Sequence, residues 1–313
     1  MRYVLFLLSL AFAVSAGAVC TFTTSGSTMS LDGDCTTDTT ILVPDGFTLD
    51  GSNHTITAVD PMGDHFRGAV VANGGTSANV VNLKISAGGL MNACDAGGDR
   101  LRGIMLDGAS GTIAHNTVLA LNQGASGCQE GNAIEVRNAP FDGTHPSTLP
   151  VTIAHNNLHN WQKTGIVVNG DVSAWVHHND VTGSATQANL AANGIQIGFG
   201  AAAAVEHNQV EGNSWCCADA AATAVLLFLA ESGTSVNQNN LIGGNADVGL
   251  YALADGVSIV NNKVFESGAD GFYDIGIGDY GVGNFNYNNK VKGYATAYDG
   301  NPGMKNKTIP GGP

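Results

Sequence analysis

Charged residues are scarce in this 313-residue sequence, and basic residues are scarcer than acidic ones. Only 12% of the residues are charged, with 12 Lys and Arg against 26 Asp and Glu, for a formal net charge of −14. Nucleic acid and anionic membranes repel so acidic a chain, and neither is predicted as a partner. Beyond the N-terminus, no apolar run approaches the roughly 20 residues that cross a bilayer, so no membrane insertion is predicted after signal cleavage.

The N-terminus has the pattern of an export signal. Arg2 is followed by an apolar run, 4–14, and by the small residues of 15–18. This order predicts a signal peptide over residues 1–18 and a secreted or periplasmic protein. A lipid anchor on Cys20 is the alternative, although Val19 stands where lipidation favours a small residue.

All six cysteines follow this segment, in a compartment that permits disulfides. Connectivity cannot be read from sequence, so other pairings and buried thiols remain open. A bridge between the adjacent Cys216 and Cys217 would be strained. No Cys-x-x-Cys spacing supports a metal site. We predict two bridges, Cys20–Cys35 and Cys94–Cys128.

One short unit recurs from about residue 103 to 293, and it alternates with period two, as strands do. Each unit opens with an apolar alternation, usually after glycine, as in G-I-M-L-D at 103, G-I-V-V-N at 165 and G-F-Y-D-I at 271. Each closes on an apolar residue, two variable residues and asparagine. The asparagines are Asn116, Asn156, Asn179, Asn208, Asn239, Asn262 and Asn289.

Strands this short need neighbours, which stacked rungs provide. Equivalent inward side chains would then form continuous apolar columns, and asparagine would occupy the corners, where it tolerates left-handed backbone. The alternative for residues 218–231 is an alanine-rich helix, although the repeat favours a strand there. One predicted column is Ile104, Ile134, Ile166, Ile195, Val225, Leu250 and Phe272.

The repeat also sets the boundaries along the chain. Residues 41–298 are predicted to be rungs, because T-L-D-G-S-N-H-T-I at 48–56 and V-V-N-L-K-I at 80–85 extend the pattern towards the N-terminus. Residues 19–40 would cap that end. Residues 299–313, which close on proline and glycine, are predicted to be a disordered tail.

With T-L-D-G-S-N-H-T-I and the recurring I-A-H-N-N-L, the chain resembles the pectin-lyase-like parallel β-helix superfamily. The resemblance covers nearly the whole chain after residue 18. It implies an all-β, single-stranded right-handed parallel β-helix with asparagine-punctuated rungs. It also implies an extended polysaccharide bound along outward strand residues between long loops.

The outward third and fifth positions of the openings carry charged residues and asparagine only in the first three clear rungs, where further cations also lie. Two insertions, 88–99 and 138–150, flank this patch, the second carrying Asp142 and His145. We predict catalytic roles for Arg137, Lys163, Glu135 and Asp107. We predict substrate contacts for Arg100, Arg102, Asn169, Tyr251 and Tyr273.

The predicted chemistry is proton abstraction beside a uronate carboxylate, with Arg137 or Lys163 offsetting the developing charge. Asp107 and Glu135 could hold calcium through oxygen ligands, so the cofactor is left open. Two other interpretations remain: an exposed ion-pair ladder without function, and a hydrolase that uses Asp107 and Glu135 as its paired carboxylates.

Histidine precedes the corner asparagine in four rungs, at 115, 155, 178 and 207, and His177 adjoins one of them. A structural hydrogen-bonding ladder is the favoured interpretation, so no metal site is predicted. Copper or zinc binding remains the alternative.

The sequence therefore predicts a secreted polysaccharide-active protein, a lyase or epimerase acting on an acidic polysaccharide. A glycoside hydrolase of the same fold and a non-catalytic carbohydrate-binding or surface protein are the alternatives. The superfamily's N-T-D, D-D, G-H-G and R-I-K hydrolase signatures are absent. So are the R-x-P-x-x-R of pectate lyases and the D-P-H of alginate epimerases. The oligomeric state is not predicted.

Overall fold

The computed structural model describes residues 18–91, 93–124, 126–143, 148–184, 189–267 and 272–309. The predicted signal peptide lies outside these residues except for Ala18, and so do residues 310–313. Among the described residues the one helix is a 3₁₀ turn, η1 (Gly97–Asp99). None of the described residues belongs to a helix long and apolar enough to span a membrane.

Strands make up the rest of the regular structure. The first eleven are β1 (Phe22–Ser25), β2 (Thr28–Leu31), β3 (Cys35–Thr37), β4 (Ile41–Val43), β5 (Phe47–Asp50), β6 (Thr55–Ala58), β7 (Ala69–Asn73), β8 (Ala78–Val81), β9 (Lys84–Ser86), β10 (Arg102–Asp107) and β11 (Gly111–Ala114). The next eleven are β12 (Thr117–Leu119), β13 (Asn132–Asn138), β14 (Leu149–Ala154), β15 (Asn157–His159), β16 (Thr164–Gly170), β17 (Val172–His177), β18 (Asp180–Thr182), β19 (Asn193–Gly198), β20 (Ala202–Glu206), β21 (Gln209–Gly212) and β22 (Thr223–Phe228). The last ten are β23 (Ser235–Asn237), β24 (Asn240–Gly244), β25 (Val248–Leu253), β26 (Ser258–Val260), β27 (Lys263–Glu266), β28 (Ile275–Asp279), β29 (Phe285–Tyr287), β30 (Lys290–Lys292), β31 (Thr296–Gly300) and β32 (Lys307–Ile309).

These strands form three sheets. From β4 to β31, successive strands along the chain join sheets 1, 2 and 3 in turn. Sheet 1 contains β4, β7, β10, β13, β16, β19, β22, β25, β28 and β31, in that spatial order. Sheet 2 runs from β1 and β2 through β5, β8, β11, β14, β17, β20, β23 and β26 to β29, and sheet 3 from β3 through β6, β9, β12, β15, β18, β21, β24, β27 and β30 to β32. Neighbouring rungs pair in parallel, and the prediction of a parallel β-helix is confirmed. The segment 218–231 contains strand β22, as the repeat predicts.

The core is a set of columns formed by in-register pairing. In sheet 1, Ile104 pairs with Ile134, and the column continues through Ile166, Ile195, Val225 and Leu250 as predicted. All six side chains are fully buried. The parallel pairing makes this alignment automatic once one pair is in register.

The last predicted member of the column is wrong. Leu250 pairs with Ile277, which is buried, whereas Phe272 lies before β28 and is 39% exposed. The opening G-F-Y-D-I at 271 imitates the repeat, but the rung begins five residues later, at Gly276 and Ile277. Both segments place a glycine before an apolar residue, so the sequence pattern alone does not distinguish them.

The corner between sheets 2 and 3 is held by the predicted asparagines, which are buried and bond to one another. Asn156 donates its backbone N–H and its Nδ2 to Oδ1 of Asn179, at 3.0 and 2.9 Å. The same Nδ2 donates to the carbonyl of Ile113, and Oδ1 of Asn156 accepts two bonds from Asn116. Repetition of this arrangement satisfies backbone groups that the corner would otherwise leave unpaired.

The residue before each of these asparagines has left-handed backbone. His115 has φ of 58° and Asn261 has the same value. The corner therefore requires a residue that tolerates positive φ, and histidine, glutamine and asparagine all occur there. The equivalent residues are Asn82, His115, His155, His178, His207, Gln238, Asn261 and Asn288.

The two ends of the stack differ from its middle. At the N-terminal end β1 pairs antiparallel with β2. At the other end the inward columns become polar: Asp279 follows Ala252, and Asn286 follows Ile259. The Asp279 carboxylate accepts bonds from Asn284 and Asn301, at 2.6 and 3.1 Å. The apolar core therefore stops at this rung.

The predicted disordered tail, 299–313, is wrong up to residue 309. Strand β31 pairs with β28 and reaches Gly300, and β32 pairs with β30. Residues 296–300 and 307–309 are held in place because their strands add backbone groups to sheets 1 and 3.

Both predicted disulfides are present. Their Cα atoms are 4.9 Å apart in Cys20–Cys35 and 5.1 Å apart in Cys94–Cys128. The structure also joins Cys216 to Cys217, which the sequence analysis disfavours, with Cα atoms 3.8 Å apart. Among the described residues no cysteine is free.

The asparagine ladder is tested by two adjacent asparagines in one rung. Asn156→Ala removes the acceptor of the Asn116 backbone N–H and the amide that donates to the Ile113 carbonyl, and a buried group left unpaired costs about 1–3 kcal/mol. Asn157→Ala alters an exposed side chain and should change the free energy of unfolding by no more than about 0.5 kcal/mol. Urea unfolding of both variants measures the difference, and equal losses would contradict the structural role of Asn156.

The corrected register predicts unequal effects of two truncations. Ile277→Ala should destabilise the fold by about 2–5 kcal/mol, because it empties a fully buried position. Phe272→Ala should cost no more than about 1 kcal/mol, since its ring is partly exposed. If Phe272→Ala destabilised the fold more than Ile277→Ala in denaturant unfolding, the register expected from the sequence would be correct instead.

Candidate functional site

A groove lies on the outward face of sheet 1, over its first clear rungs. Its volume is ≈ 380 Å³. The insertion between sheets 3 and 1 contributes Gly97, and the insertion between sheets 1 and 2 contributes Phe141, so both predicted insertions border it. The lining residues are Gly97, Arg100, Arg102, Glu135, Arg137, Phe141, Asn169 and Phe199. His145, in the second insertion, lies outside the described residues.

The register of sheet 1 brings the charged residues together. Asp107 pairs with Arg137, and Arg137 with Asn169, so these side chains follow one another along the helix axis. Glu135 belongs to the parallel column two residues earlier. Each step between rungs is about 4.8 Å, which puts neighbouring side chains within contact distance.

Arg102 and Glu135 form a buried ion pair in the floor of the groove. Arg102 Nε donates to Glu135 Oε2 at 2.6 Å, and Asn132 Nδ2 donates to the same oxygen at 2.7 Å. The remaining Arg102 nitrogens donate to the carbonyls of Gly97, Gly98 and Arg100. Arg102 is 1% exposed. It therefore anchors the loop that carries Arg100, and its own donors are already occupied.

Arg137 is placed differently, since part of its side chain faces the groove. Its Nη2 donates to Asp107 Oδ2 at 2.7 Å, and its Nη1 lies 3.7 Å from Glu135 Oε1. Its Nε is buried and has no hydrogen-bond partner, and the same is true of Nε of Arg100. The pairing of Arg137 with Asp107 and Glu135 also matches the ion-pair ladder considered from sequence, with one end buried.

Lys163 lies close to Arg100, in the turn before β16. Its Nζ donates to the carbonyl of Ala191 at 2.6 Å. Burial, together with the positive charge of Arg100, lowers the pKa of the Lys163 ammonium to about 8. It is not among the residues that line the groove. Part of the Lys163 population is therefore uncharged near pH 8, at the edge of the charged cluster.

Asn169 begins a polar network that continues to the next rungs. Its Oδ1 accepts from Gln196 Nε2 at 3.3 Å, and Gln196 Oε1 accepts from Asn193 at 3.2 Å. Thr223 then donates to Asn193 at 2.9 Å. This network fixes the Asn169 amide at the mouth of the groove.

The two tyrosines predicted to bind substrate have different positions. Tyr251 is on β25, four rungs or ~19 Å along the axis from Arg137. Its ring packs edge-on against Tyr280 at 5.6 Å, and burial raises its pKa. Tyr273 is not on a strand: it precedes β28, and its hydroxyl donates to the Ala218 carbonyl at 2.6 Å. The outward position predicted for Tyr273 belongs to Gly278.

Phe141 and Phe199 line the groove but were not predicted. Phe141 is 46% exposed in an insertion, and Phe199 follows β19 with left-handed backbone, φ 55°. Neither occupies a repeat position, so the repeat carries no signal for their orientation. Large apolar residues beside an insertion were the one available hint.

The carboxylates do not fit a calcium site. Both oxygens of Glu135 face guanidinium groups, Oε2 at 2.6 Å and Oε1 at 3.4 Å from Arg102. Asp107 is paired with Arg137. A cation between these carboxylates would meet the positive charges that already neutralise them.

No curated protein sequence matches the chain. A tailspike protein, "Dettilon tailspike protein (gp208)", is 12% identical with a TM-score of 0.48, over 90% of this chain and 55% of that one. This chain thus spans about half the length of the tailspike chain.

Two further solved structures are similar. XylC in complex with xylose is 12% identical with a TM-score of 0.42, over 77% of this chain and 38% of that one. The A-module of the Azotobacter vinelandii mannuronan C-5 epimerase AlgE6 is 14% identical with a TM-score of 0.36, over 91% and 88%.

A family model described as "Right handed beta helix region" matches residues 144–309, which is more than half of the chain. The matched segment includes the rungs from β14 to β32. The protein belongs to the family of right-handed β-helix proteins.

Proposed function

We propose that this protein binds an acidic polysaccharide in the groove on sheet 1 and acts on it as a lyase or an epimerase. The observation that carries the proposal is the clustering of Arg100, Arg102 and Arg137 in one groove of a chain whose net charge is −14. An acidic protein that concentrates cations in one groove is suited to an anionic ligand there.

A uronate chain suits the groove in shape and in chemistry. Guanidinium groups bind carboxylates through parallel charge-assisted hydrogen bonds. Phe141 and Phe199 offer apolar faces to sugar rings, and Asn169 offers an amide to hydroxyl groups. Further along the same face, Tyr251 and Tyr280 could contact later sugars of an extended chain.

The chemistry that these groups favour begins with removal of the proton beside the uronate carboxylate. Arg137 would offset the carboxylate charge, and the neutral amine of Lys163 would accept the proton. In a lyase the released electron pair forms a C=C bond as the neighbouring C–O bond breaks. In an epimerase the proton returns to the opposite face.

A hydrolase is less well supported. It needs one carboxylic acid that stays protonated beside a second carboxylate. Glu135 already accepts hydrogen bonds from Arg102 and Asn132 on one oxygen, so its carboxyl group is engaged by neighbouring side chains. Asp107 is held by Arg137 and does not face a second free carboxylate.

A non-catalytic carbohydrate-binding protein is the second candidate. It is favoured by the Lys163 ammonium, which donates to the Ala191 carbonyl and does not line the groove. In that case the arginines would bind the glycan, and no proton would be transferred.

We place the protein outside the cell or in a periplasm, in agreement with its three disulfides. The N-terminal signal pattern supports the same proposal.

The binding proposal is tested by the same substitution at two arginines. Arg137→Met should weaken binding of polygalacturonate or alginate at least about tenfold, since a charge-assisted hydrogen bond contributes about 1.5–3 kcal/mol. It should leave the unfolding midpoint nearly unchanged. Arg102→Met should instead destabilise the fold by about 3–5 kcal/mol, because it leaves Glu135 buried without its main partner.

Calorimetric titration with each glycan and urea unfolding measure the two effects. A neutral glycan is the control ligand, and Arg137→Met should not change the affinity of the protein for it. If Arg137→Met kept the parent affinity for every acidic glycan, the groove would not be the glycan-binding site.

The catalytic proposal predicts a pH profile. Because the neutral amine is the base, the rate should rise about tenfold per pH unit below about 8 and level off above it. Lys163→Met should abolish turnover but keep glycan affinity, and Lys163→Arg should not rescue it, since guanidinium stays protonated.

Two readouts cover both reactions: absorbance of unsaturated products for a lyase, and exchange of solvent deuterium into the uronate for an epimerase. Glycan binding with silence in both readouts would establish the non-catalytic candidate. Turnover that survives Lys163→Met would assign the base elsewhere.

A further inference from the structure

Four histidine rings form a stack on the corner between sheets 2 and 3. The centroids of His115 and His155 are 4.9 Å apart, and those of His155 and His178 are 5.1 Å apart. His207 continues the stack at 5.1 Å from His178. All four rings are exposed. The stack lies outside sheet 1 and shares no residue with the groove.

A fifth histidine approaches this stack from the side. His177 ends strand β17, and its Nδ1 lies 3.0 Å from Nδ1 of His178. Its ring is edge-on to those of both His155 and His178. One nitrogen each from His155, His177 and His178 lies within 4.8 Å of the others.

We propose that His155, His177 and His178 bind a divalent transition-metal ion, with Zn²⁺ or Cu²⁺ as the chemical class. Imidazole nitrogen is the preferred ligand of these ions, at about 2.0–2.1 Å from the metal. Two such nitrogens on a tetrahedral ion are about 3.3 Å apart, close to the His177–His178 separation.

The contact between the two Nδ1 atoms supports this arrangement. Without metal, one of these nitrogens carries a proton and the other accepts it. If that proton moves to Nε2 of its own ring, both Nδ1 atoms have a lone pair to offer to a metal ion. The third nitrogen, from His155, completes three ligands, and the exposed side leaves the fourth position to water.

The corner itself does not require histidine. Asn82, Gln238 and Asn261 occupy equivalent corners with φ between 53° and 58°. At the position of His177, the neighbouring rung carries Ala154. The fold therefore accepts other residues at each of these positions, and backbone geometry alone does not account for the cluster of imidazoles.

The chain supplies conservative test variants. His155→Asn and His178→Asn reproduce the corner of Asn261, and His177→Ala reproduces Ala154, so folding should be retained. His115→Asn and His207→Asn are matched controls, because they shorten the stack without removing a proposed ligand.

The experiment titrates ZnCl₂ into the purified, untagged mature protein by calorimetry, and CoCl₂ with visible absorption. We expect one saturable ion per chain, the absorption of a tetrahedral Co²⁺ complex, and at least about tenfold weaker binding in each ligand variant. The two controls should stay within about threefold of the parent.

Absence of saturable binding in the parent would overturn the proposal, as would a loss in the controls equal to that in the ligand variants. Urea unfolding without metal identifies any variant that has not folded. Where His178→Asn has not folded, His178→Gln replaces it in the same titration, because Gln238 occupies the equivalent corner of another rung.

Discussion

Equal register between neighbouring rungs is the constraint on which this molecule depends. Most of its strands have three to six residues, and such strands are not stable without neighbours on both sides. Parallel pairing supplies these neighbours, but it also requires every rung to turn at the same point. The corner asparagines provide that alignment, since each amide bonds to the rungs on either side. A shift of one residue would break these bonds and turn the apolar columns outward.

The same register organises the outside of the helix. Because Asp107, Arg137 and Asn169 occupy one outward column, a charged groove needs only a suitable choice of side chain in three rungs. The insertions then add what the strands lack, namely the carbonyls that hold Arg102 and the ring of Phe141. The rigid columns fix the charges, and the irregular loops shape the groove around them.

Much of the fold could be predicted from sequence because the same short motif recurs in many rungs. The column from Ile104 to Leu250 is confirmed, as are the corner asparagines and two disulfides. The repeat failed at Phe272, where a short imitation of the motif precedes the true rung. Further along the chain, the tail carries no repeat that would have indicated β32.

The sequence predicted where the candidate site lies better than it predicted the role of each residue in it. The sequence placed Arg102 and Glu135 in the same region, but their pairing and burial depend on the loop carbonyls of 97–100, which no sequence pattern predicts. Tyr273 was misplaced together with its rung. Phe199 owes its position to a corner conformation that is visible only in three dimensions. Local repetition thus predicts columns, whereas burial and loop contacts require the folded chain.

The polar end of the core has a consequence for how copies of this protein meet. A solenoid ends in an open row of backbone donors and acceptors, which invites another solenoid to add its first rung. Here the polar rung of Asp279 and Asn286 is itself covered, because β31 pairs with β28 and Asn301 donates to Asp279. A second copy would therefore meet the short strand β31, with the exposed side chains of Thr296 and Asp299, and a short edge strand that carries charge opposes end-to-end growth into filaments.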